Sequence, residues 1–61
     1  MKDFITVTSG MSGHFAVQLT WDNESEAWVP WTTGFGRYST RESAAIEGRA
    51  WADSEELEFK E

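Results

Sequence analysis

The chain has 61 residues, with eleven carboxylates, five lysines and arginines, no cysteine and a formal net charge of −6. So short a chain predicts one domain over residues 1–61 with a marginal core, because about 60% of the surface exposed in its unfolded form is buried. The absence of cysteine excludes disulfides and thiolate metal sites. The acidity disfavours direct binding to nucleic acid and anionic membranes and favours a basic partner, although solubility alone is the simpler explanation.

No stretch predicts a membrane segment or a targeting signal. The sequence has no apolar run near the roughly 18 residues of a membrane span, and its N-terminus lacks the basic region and apolar stretch of a signal peptide. We therefore expect a soluble, cytoplasmic protein. Its core is expected to depend on the four tryptophans, four phenylalanines and one tyrosine.

Two strands are predicted in the first third of the chain. Residues 4–8 are β-branched and short, and a Gly/Ser loop over residues 9–13 ends them. Residues 14–21 alternate strictly between two faces, which is the clearest strand pattern in the chain. One face carries Phe15, Val17, Leu19 and Trp21. We expect these four side chains, together with Trp51, to be largely buried.

A third strand is predicted to form a hairpin with the second. Residues 22–26 are a polar turn in which Asp22 and Asn23 can bond their own backbone, and residues 27–33 resume an extended pattern. Pro30 cannot donate to a strand ladder. The third strand is therefore expected at a sheet edge, or with a bulge at Pro30.

One helix is predicted, over residues 39–53. Ser39 and Glu42 have the spacing of a capping box, so we expect the helix to begin at Thr40. Residues 34–38 lead into the helix. They contain two glycines and Phe35, an aromatic plug whose side chain we expect to be covered. The face expected against the sheet comprises Ala44, Ala45, Gly48, Trp51 and Ala52.

A turn over residues 53–56 and a short strand carrying Leu57 and Phe59 complete the order β-β-β-α-β. The fold class is therefore predicted as α+β, a small antiparallel sheet of three to four strands with one helix packed on it. Ile46 and Ala50 lie on the opposite side of the helix. Either the N-terminal strand or a loop covers them, or they form a small apolar patch that a partner uses.

The residues give no support for a catalytic site or a metal site. His14 is the only histidine, and one lone histidine does not make a triad. Asp22, Glu24 and Glu26 alternate like calcium ligands, but the sixth and twelfth loop positions hold alanine and threonine instead of glycine and glutamate. The glycines of residues 34–36 lack the rest of a phosphate-loop motif. We expect no enzyme, no cofactor and no metal.

Carboxylates are the one functional signal. The C-terminal cluster comprises Asp53, Glu55, Glu56, Glu58 and Glu61, the hairpin cluster comprises Asp22, Glu24 and Glu26, and Glu47 adds a carboxylate on the helix. Acids at a helix C-terminus oppose its dipole and cost about 0.3–1 kcal/mol each when exposed, so they do not serve helix stability. A solvated acidic surface is the simpler interpretation. The more specific hypothesis is that these carboxylates imitate a nucleic-acid backbone and bind a basic groove, with the C-terminal cluster favoured because a helix and a strand hold it.

Residues 34–59 resemble the closing segment of small phage-encoded proteins. The shared pattern is a G-x-G-[KR]-[YF]-x-[TS] entry, here GFGRYST over residues 34–40, then a short helix ending in Ala50-Trp51-Ala52, then a last strand through Leu57-Glu58-Phe59. In size and acidity the chain is also similar to the type I anti-CRISPR inhibitors carried by phages and mobile elements.

This resemblance implies a function without implying a reaction. Inhibitors of that class commonly bind a surface of the Cascade complex and block target DNA, so the resemblance implies a non-enzymatic, DNA-mimicking inhibitor acting in the cytoplasm of a bacterial host. The expected partner is a basic nucleic-acid-binding protein or complex, bound by a monomer. The alternative is another phage accessory protein, such as an inhibitor of host RNA polymerase or a structural adaptor.

Overall fold

The computed structural model describes residues 2–61. Its elements are β1 (Phe4–Gly10), β2 (Gly13–Asp22), β3 (Ala27–Thr33), α1 (Arg41–Glu55) and β4 (Glu58–Phe59). The predicted order β-β-β-α-β and the α+β class are confirmed. Within residues 2–61, α1 is too short and too polar to cross a membrane.

The sheet has the strand order β3-β2-β1-β4 and is mixed. β1, β2 and β3 pair antiparallel, as expected, whereas β4 pairs with β1 in parallel, with Phe4 opposite Glu58. The parallel pair follows from the helix between β3 and β4. A helix that joins two strands of one sheet returns the chain to the end where the first strand began, so the next strand runs in the same direction.

The helix packs on the sheet through its smallest residues. Ala44, Ala45, Gly48 and Ala52 are buried, as predicted, and Trp51 is half-buried at the margin of this face. On the sheet side they meet the buried side chains of Ile5, Val7 and Ala16. The small residues of the helix let its backbone lie close to these larger sheet side chains, which excludes water from the contact.

The helix covers the face of β2 opposite to the one expected in the core. Ala16 faces α1, so the alternate residues Phe15, Val17, Leu19 and Trp21 lie on the other side of the sheet. Val17 is 3% exposed, whereas Phe15, Leu19, Trp21 and Trp51 are half-buried, so only Val17 of the five predicted core side chains is fully in the core. The Ala/Gly face of the helix packs instead on the face of the sheet where Ala16 lies beside Ile5, Val7 and Phe59.

Both ends of α1 differ from the sequence prediction. Thr40, and not Ser39, is the N-cap: its backbone is extended and its hydroxyl accepts a 3.2 Å hydrogen bond from the Ser43 amide, so the helix begins at Arg41. The predicted capping box with Glu42 is therefore wrong by one residue. At the other end the helix continues through the predicted turn to Glu55. It ends at Glu56, whose left-handed conformation (φ 57°) directs its amide to the carbonyls of Ala52 and Asp53.

Pro30 marks both an edge and a bulge, the two outcomes that the sequence allowed. β3 is an edge strand, and its register with β2 shifts where Leu19 pairs with Pro30 and Gln18 pairs with Thr32. Trp31 is the extra residue between them and is 71% exposed.

Phe35, which was expected to be covered, and Ile46, for which the sequence left cover or exposure open, are both exposed to solvent. Phe35 is fully exposed, so it is not a plug, and Tyr38 packs against the core in its place. Ile46 is 69% exposed and Ala50 is also exposed, so neither the N-terminal strand nor a loop covers them. Of the two interpretations of this side of the helix, the small apolar patch is correct.

Candidate protein-binding surfaces

The fold brings the hairpin cluster and most of the C-terminal cluster to one end of the sheet. β2 ends where β1 begins, because the two are antiparallel, and β4 begins at the same end because it is parallel to β1. The helix C-terminus also lies there, since it leads directly into β4. We call this surface the acidic end; its residues are Asp22, Glu24, Glu26, Asp53, Glu55, Glu56 and Glu58.

The hairpin part of the acidic end is an ordered turn. One carboxylate oxygen of Asp22 accepts from the Glu24 amide at 3.2 Å, and the other accepts from the Ser25 hydroxyl at 2.8 Å. The Ser25 hydroxyl and the Glu24 amide hold the pKa of the Asp22 carboxyl below its usual value. Glu26 closes the turn with a left-handed backbone (φ 54°). Glu24 and Glu26 are exposed and free to meet a partner, whereas Asp22 shapes the turn.

The C-terminal part of the acidic end is held by the helix and by β4. Asp53, Glu55, Glu56 and Glu58 are all exposed, and the last turn of the helix has no basic residue. The partial negative charge at a helix C-terminus adds to the field of these carboxylates within the last turn. The surface is therefore more negative than its side chains alone make it.

Two predicted partner-binding residues lie outside the acidic end. Glu61 follows β4 away from that end, and its carboxylate lies 3.5 Å from the Arg49 guanidinium, with both side chains 58% exposed. Its charge is thus partly offset by Arg49, which also lies over the Phe59 ring. Partner binding by Glu61 stays a prediction.

Glu47 has an internal role that the sequence did not reveal. Its carboxylate accepts from the amides of Phe35 and Gly36, at 3.1 and 3.2 Å, and from the Tyr38 hydroxyl at 3.0 Å. The hydrogen bond to Glu47 raises the pKa of the Tyr38 hydroxyl. A β-carbon at Gly34 would collide with the same carboxylate. The glycine loop does bind an anion, but that anion is the chain's own Glu47, which leaves these amides no room for phosphate.

Comparison with protein-family models, with curated proteins and with solved structures found no match. The site must therefore be judged from its own geometry. Across residues 2–61, no three His, Cys, Asp or Glu side chains are grouped to hold a metal ion. Within residues 2–61, His14 forms no ion pair with a carboxylate, and its Nδ1 atom is buried without a hydrogen-bond partner. The backbones of His14 and Tyr38 exchange two hydrogen bonds, of 2.8 and 2.9 Å.

Two arginines lie toward the end of the sheet opposite the acidic end. Arg37 donates to the carbonyls of Gly34 and Gly36 and lies 4.3 Å over the Phe15 ring. Arg41 begins the helix and donates to the Val7 carbonyl at 3.4 Å. The molecule is therefore electrostatically polarised along its strands, which favours one docking orientation on a charged partner.

The second candidate surface is the side of the sheet that no helix covers. We call it the open face; it carries Phe4, Thr6, Thr8, Phe15, Val17, Leu19, Trp21, Trp28, Pro30 and Thr33. Phe4 packs edge-on against Trp28, with ring centroids 4.7 Å apart, and Trp28 against Trp21 at 5.5 Å. Beside this aromatic row a groove of about 400 Å³ is lined by Thr6, Phe15, Val17, Leu19, Pro30 and Thr33.

Sequence reasoning found the acidic residues but not the surface that they form. It treated the two clusters as alternatives, since the hairpin tip and the helix end are 27 or more positions apart in the chain. The element order already indicated this arrangement. A helix between β3 and β4 makes β4 run parallel to β3, so β4 begins at the end of the sheet where β2 ends. The open face was missed because strand alternation does not say which side the helix takes.

Proposed function

We propose that this chain is a non-enzymatic inhibitor that occupies a basic, nucleic-acid-binding groove with its acidic end. The observation that carries the proposal is the convergence of both acidic clusters on one end of a rigid sheet and helix. The protein acts in the cytoplasm of a bacterial host, and the partner suggested by the resemblance to type I anti-CRISPR inhibitors is a Cascade-type effector complex that then loses access to target DNA.

The dimensions of the acidic end support this proposal. Four strands about 4.8 Å apart span about 14 Å, and duplex DNA carries one phosphate charge per roughly 1.7 Å of its axis. The acidic end therefore presents carboxylates over a length comparable to that of a short stretch of duplex. Arg37 and Arg41 lie toward the opposite end, and Lys2 and Lys60, near the start of β1, offset only part of the charge of its seven carboxylates.

Mimicry of charge explains two otherwise unfavourable choices in the sequence. Acids in the last helical turn oppose the helix dipole, and Glu56 occupies a left-handed position that glycine fills at less cost. Both choices cost stability in a small domain, and both add negative charge to the acidic end. A function that requires the charge accounts for them better than solubility, which acids elsewhere on the surface would also provide.

A competition assay with matched charge reversals tests the proposal. The chain is added to a purified Cascade-type complex, and the affinity of that complex for labelled target DNA is measured over a salt series. Glu55→Lys, at the acidic end, is compared with Glu42→Lys, in the first turn of the same helix. Both residues are exposed and helical, and both changes alter the net charge equally.

We expect wild type to displace DNA and to do so less well as salt rises, because a contact made of charge pairs is screened. Glu55→Lys should weaken inhibition about tenfold, and Glu42→Lys should leave it unchanged. Equal effects of the two reversals would show that net charge and not the acidic end matters. If wild type leaves DNA binding unaffected while remaining folded, this partner is wrong, and the same variants serve in a pull-down that includes host RNA polymerase.

A further inference from the structure

We propose that the open face is a dimer interface and that its occupant is the open face of a second copy of this chain, related by a two-fold axis. This assignment replaces the monomer expected from the sequence. It does not depend on the proposed function, because the open face is a side of the sheet and the acidic end is an end of it, and the two share only Glu58 at their common border.

The open face has the size of a small, reversible interface. Its four strands contain 26 residues, which at about 3.3 Å per residue and 4.8 Å between strands give a plan area of about 400 Å². A standard interface buries about 800 Å² on each partner, so pairing through the open face predicts a weak dimer that dissociates on dilution.

The chemistry of the open face suits a copy of itself. Its centre combines aromatic rings, aliphatic side chains and threonines, with the half-buried Phe4, Trp21 and Trp28 in one edge-to-face row. Aromatic residues are enriched and charges are depleted at the centre of protein interfaces. Within residues 2–61 no helix covers these half-buried rings, so a partner that covers the open face would complete their burial.

The charges at the rim of the open face select the direction of the two-fold axis. Arg37 lies over Phe15 at one end of the face, and Lys60 lies over Phe4, beside Glu58, at the other end. An axis perpendicular to the strands places the Arg37 end of one copy against the acidic end of the other, whose seven carboxylates outweigh Lys60. The same axis keeps the two acidic ends at opposite ends of the dimer, so it avoids direct repulsion between the copies, each of charge −6.

Pairing through a sheet edge is disfavoured by the edges themselves. On β3 the outer edge is interrupted by Pro30, which has no amide hydrogen, and by the bulge at Trp31. The other edge, β4, has only the two residues of its ladder with β1. Proline, bulges and short edge strands are common devices against edge-to-edge pairing. The open face has no comparable device.

Adjacent threonines of β3 offer a matched test. Thr33 pairs with Val17 on the open face, whereas Thr32 pairs with Gln18 on the helix side, and both are exposed. Sedimentation equilibrium over a concentration series should show wild type passing from 6.9 kDa to twice that mass. Thr33→Glu should raise the dimer dissociation constant about tenfold or more, since it buries an unpaired carboxylate, and Thr32→Glu should change it less than about twofold.

A charge swap checks the direction of the axis. Arg37→Glu and Glu58→Arg should each weaken the dimer, and the double variant should recover most of the loss, because the pair is restored with reversed sign. Circular dichroism confirms that each variant is folded. High salt should leave the apolar contact intact while it weakens binding through the acidic end.

The results that would overturn the dimer are specific. A wild-type mass of 6.9 kDa at every concentration excludes the interface, as does equal weakening by Thr32→Glu and Thr33→Glu. A charge swap in which the double variant is no better than either single variant excludes this axis. None of these outcomes bears on the competition assay with DNA, so failure of the dimer and failure of the proposed function are distinguishable.

Discussion

A β-carbon added to Gly48 would lie 2.7 Å from Cε1 of Phe59 and 3.5 Å from the β-carbon of Ala16. Gly48, the one glycine of α1, thus lies where the helix is close to the sheet. Its burial confirms the sequence prediction that it faces the sheet. A mid-helix glycine costs about 1 kcal/mol relative to alanine. Close packing against Phe59 accounts for its presence.

Gly48→Leu should therefore destabilise the fold by about 3 kcal/mol or more, since a bulky side chain there must separate the helix from the sheet. Ala50→Leu is the matched control on the exposed side of the same helix and should change stability by about 0.5 kcal/mol or less. Urea unfolding followed by tryptophan fluorescence measures both. Equal stabilities for the two variants would mean that α1 does not pack through Gly48.

The hydrogen bond from Tyr38 to Glu47 predicts a pH dependence with a defined sign. Its phenol has a pKa raised above the usual value of 10.0 because the neutral hydroxyl donates to the carboxylate. A folded-state pKa above the unfolded value means that this contribution to stability is complete below about pH 10 and is lost as the pH rises through the raised pKa. Stability should fall in strongly alkaline solution.

Tyr38 is the only tyrosine, so its titration can be followed by phenolate absorbance without interference from another tyrosine. Glu47→Gln should lower its pKa toward 10.0, because a neutral amide no longer disfavours the phenolate. Glu42→Gln, a carboxylate on the same helix that does not bond Tyr38, is the control and should leave the titration unchanged. A pKa unaffected by Glu47→Gln would contradict the loop geometry.

The helix C-terminus gives a prediction of increased stability. Glu56 is left-handed, a conformation that costs a residue with a side chain roughly 1 kcal/mol relative to glycine. Glu56→Gly should therefore stabilise the fold by about 1 kcal/mol. Glu56→Gln is the control that removes the charge but keeps the backbone strain, and thermal unfolding ranks the two. A glycine variant less stable than the glutamine variant would show that the cap is not strained.

Local patterns predicted the elements well, because they depend on neighbouring residues. Alternation identified β2, the proline identified an interrupted edge strand, and the spacing of Ala44, Gly48 and Ala52 identified the buried side of the helix. The cap was misplaced by one residue because Ser39 and Thr40 carry equivalent hydroxyls. Backbone conformation decides between them, and only Thr40 has its oxygen at the Ser43 amide.

Relationships between elements were harder to predict. The row from Phe15 to Trp21 has the stronger apolar signal, yet the helix packs on the other face, where Ala16 lies beside Ile5 and Val7 of β1. Alternation within β2 does not show which side chains a neighbouring strand adds to each face. The acidic end and Glu47 were also hard to predict, because both depend on contacts between distant parts of the chain. Each acidic residue was visible in the sequence, but their arrangement at one end of the sheet depends on the parallel pairing of β4 with β1. The role of Glu47 depends on loop residues 9 to 12 positions away.

The central claim is that the hairpin and C-terminal carboxylates of the acidic end act as one surface. The most direct measurement is the affinity of a Cascade-type complex for three variants of equal net charge. Two are Glu24→Lys with Glu26→Lys and Asp53→Lys with Glu55→Lys; the control, at exposed positions away from the acidic end, is Glu42→Lys with Ser9→Lys and Ser12→Lys. We expect each of the first two to lose about tenfold or more in affinity and the control to stay within about threefold of wild type. Loss confined to one cluster, or an equal loss in the control, would contradict a single acidic surface.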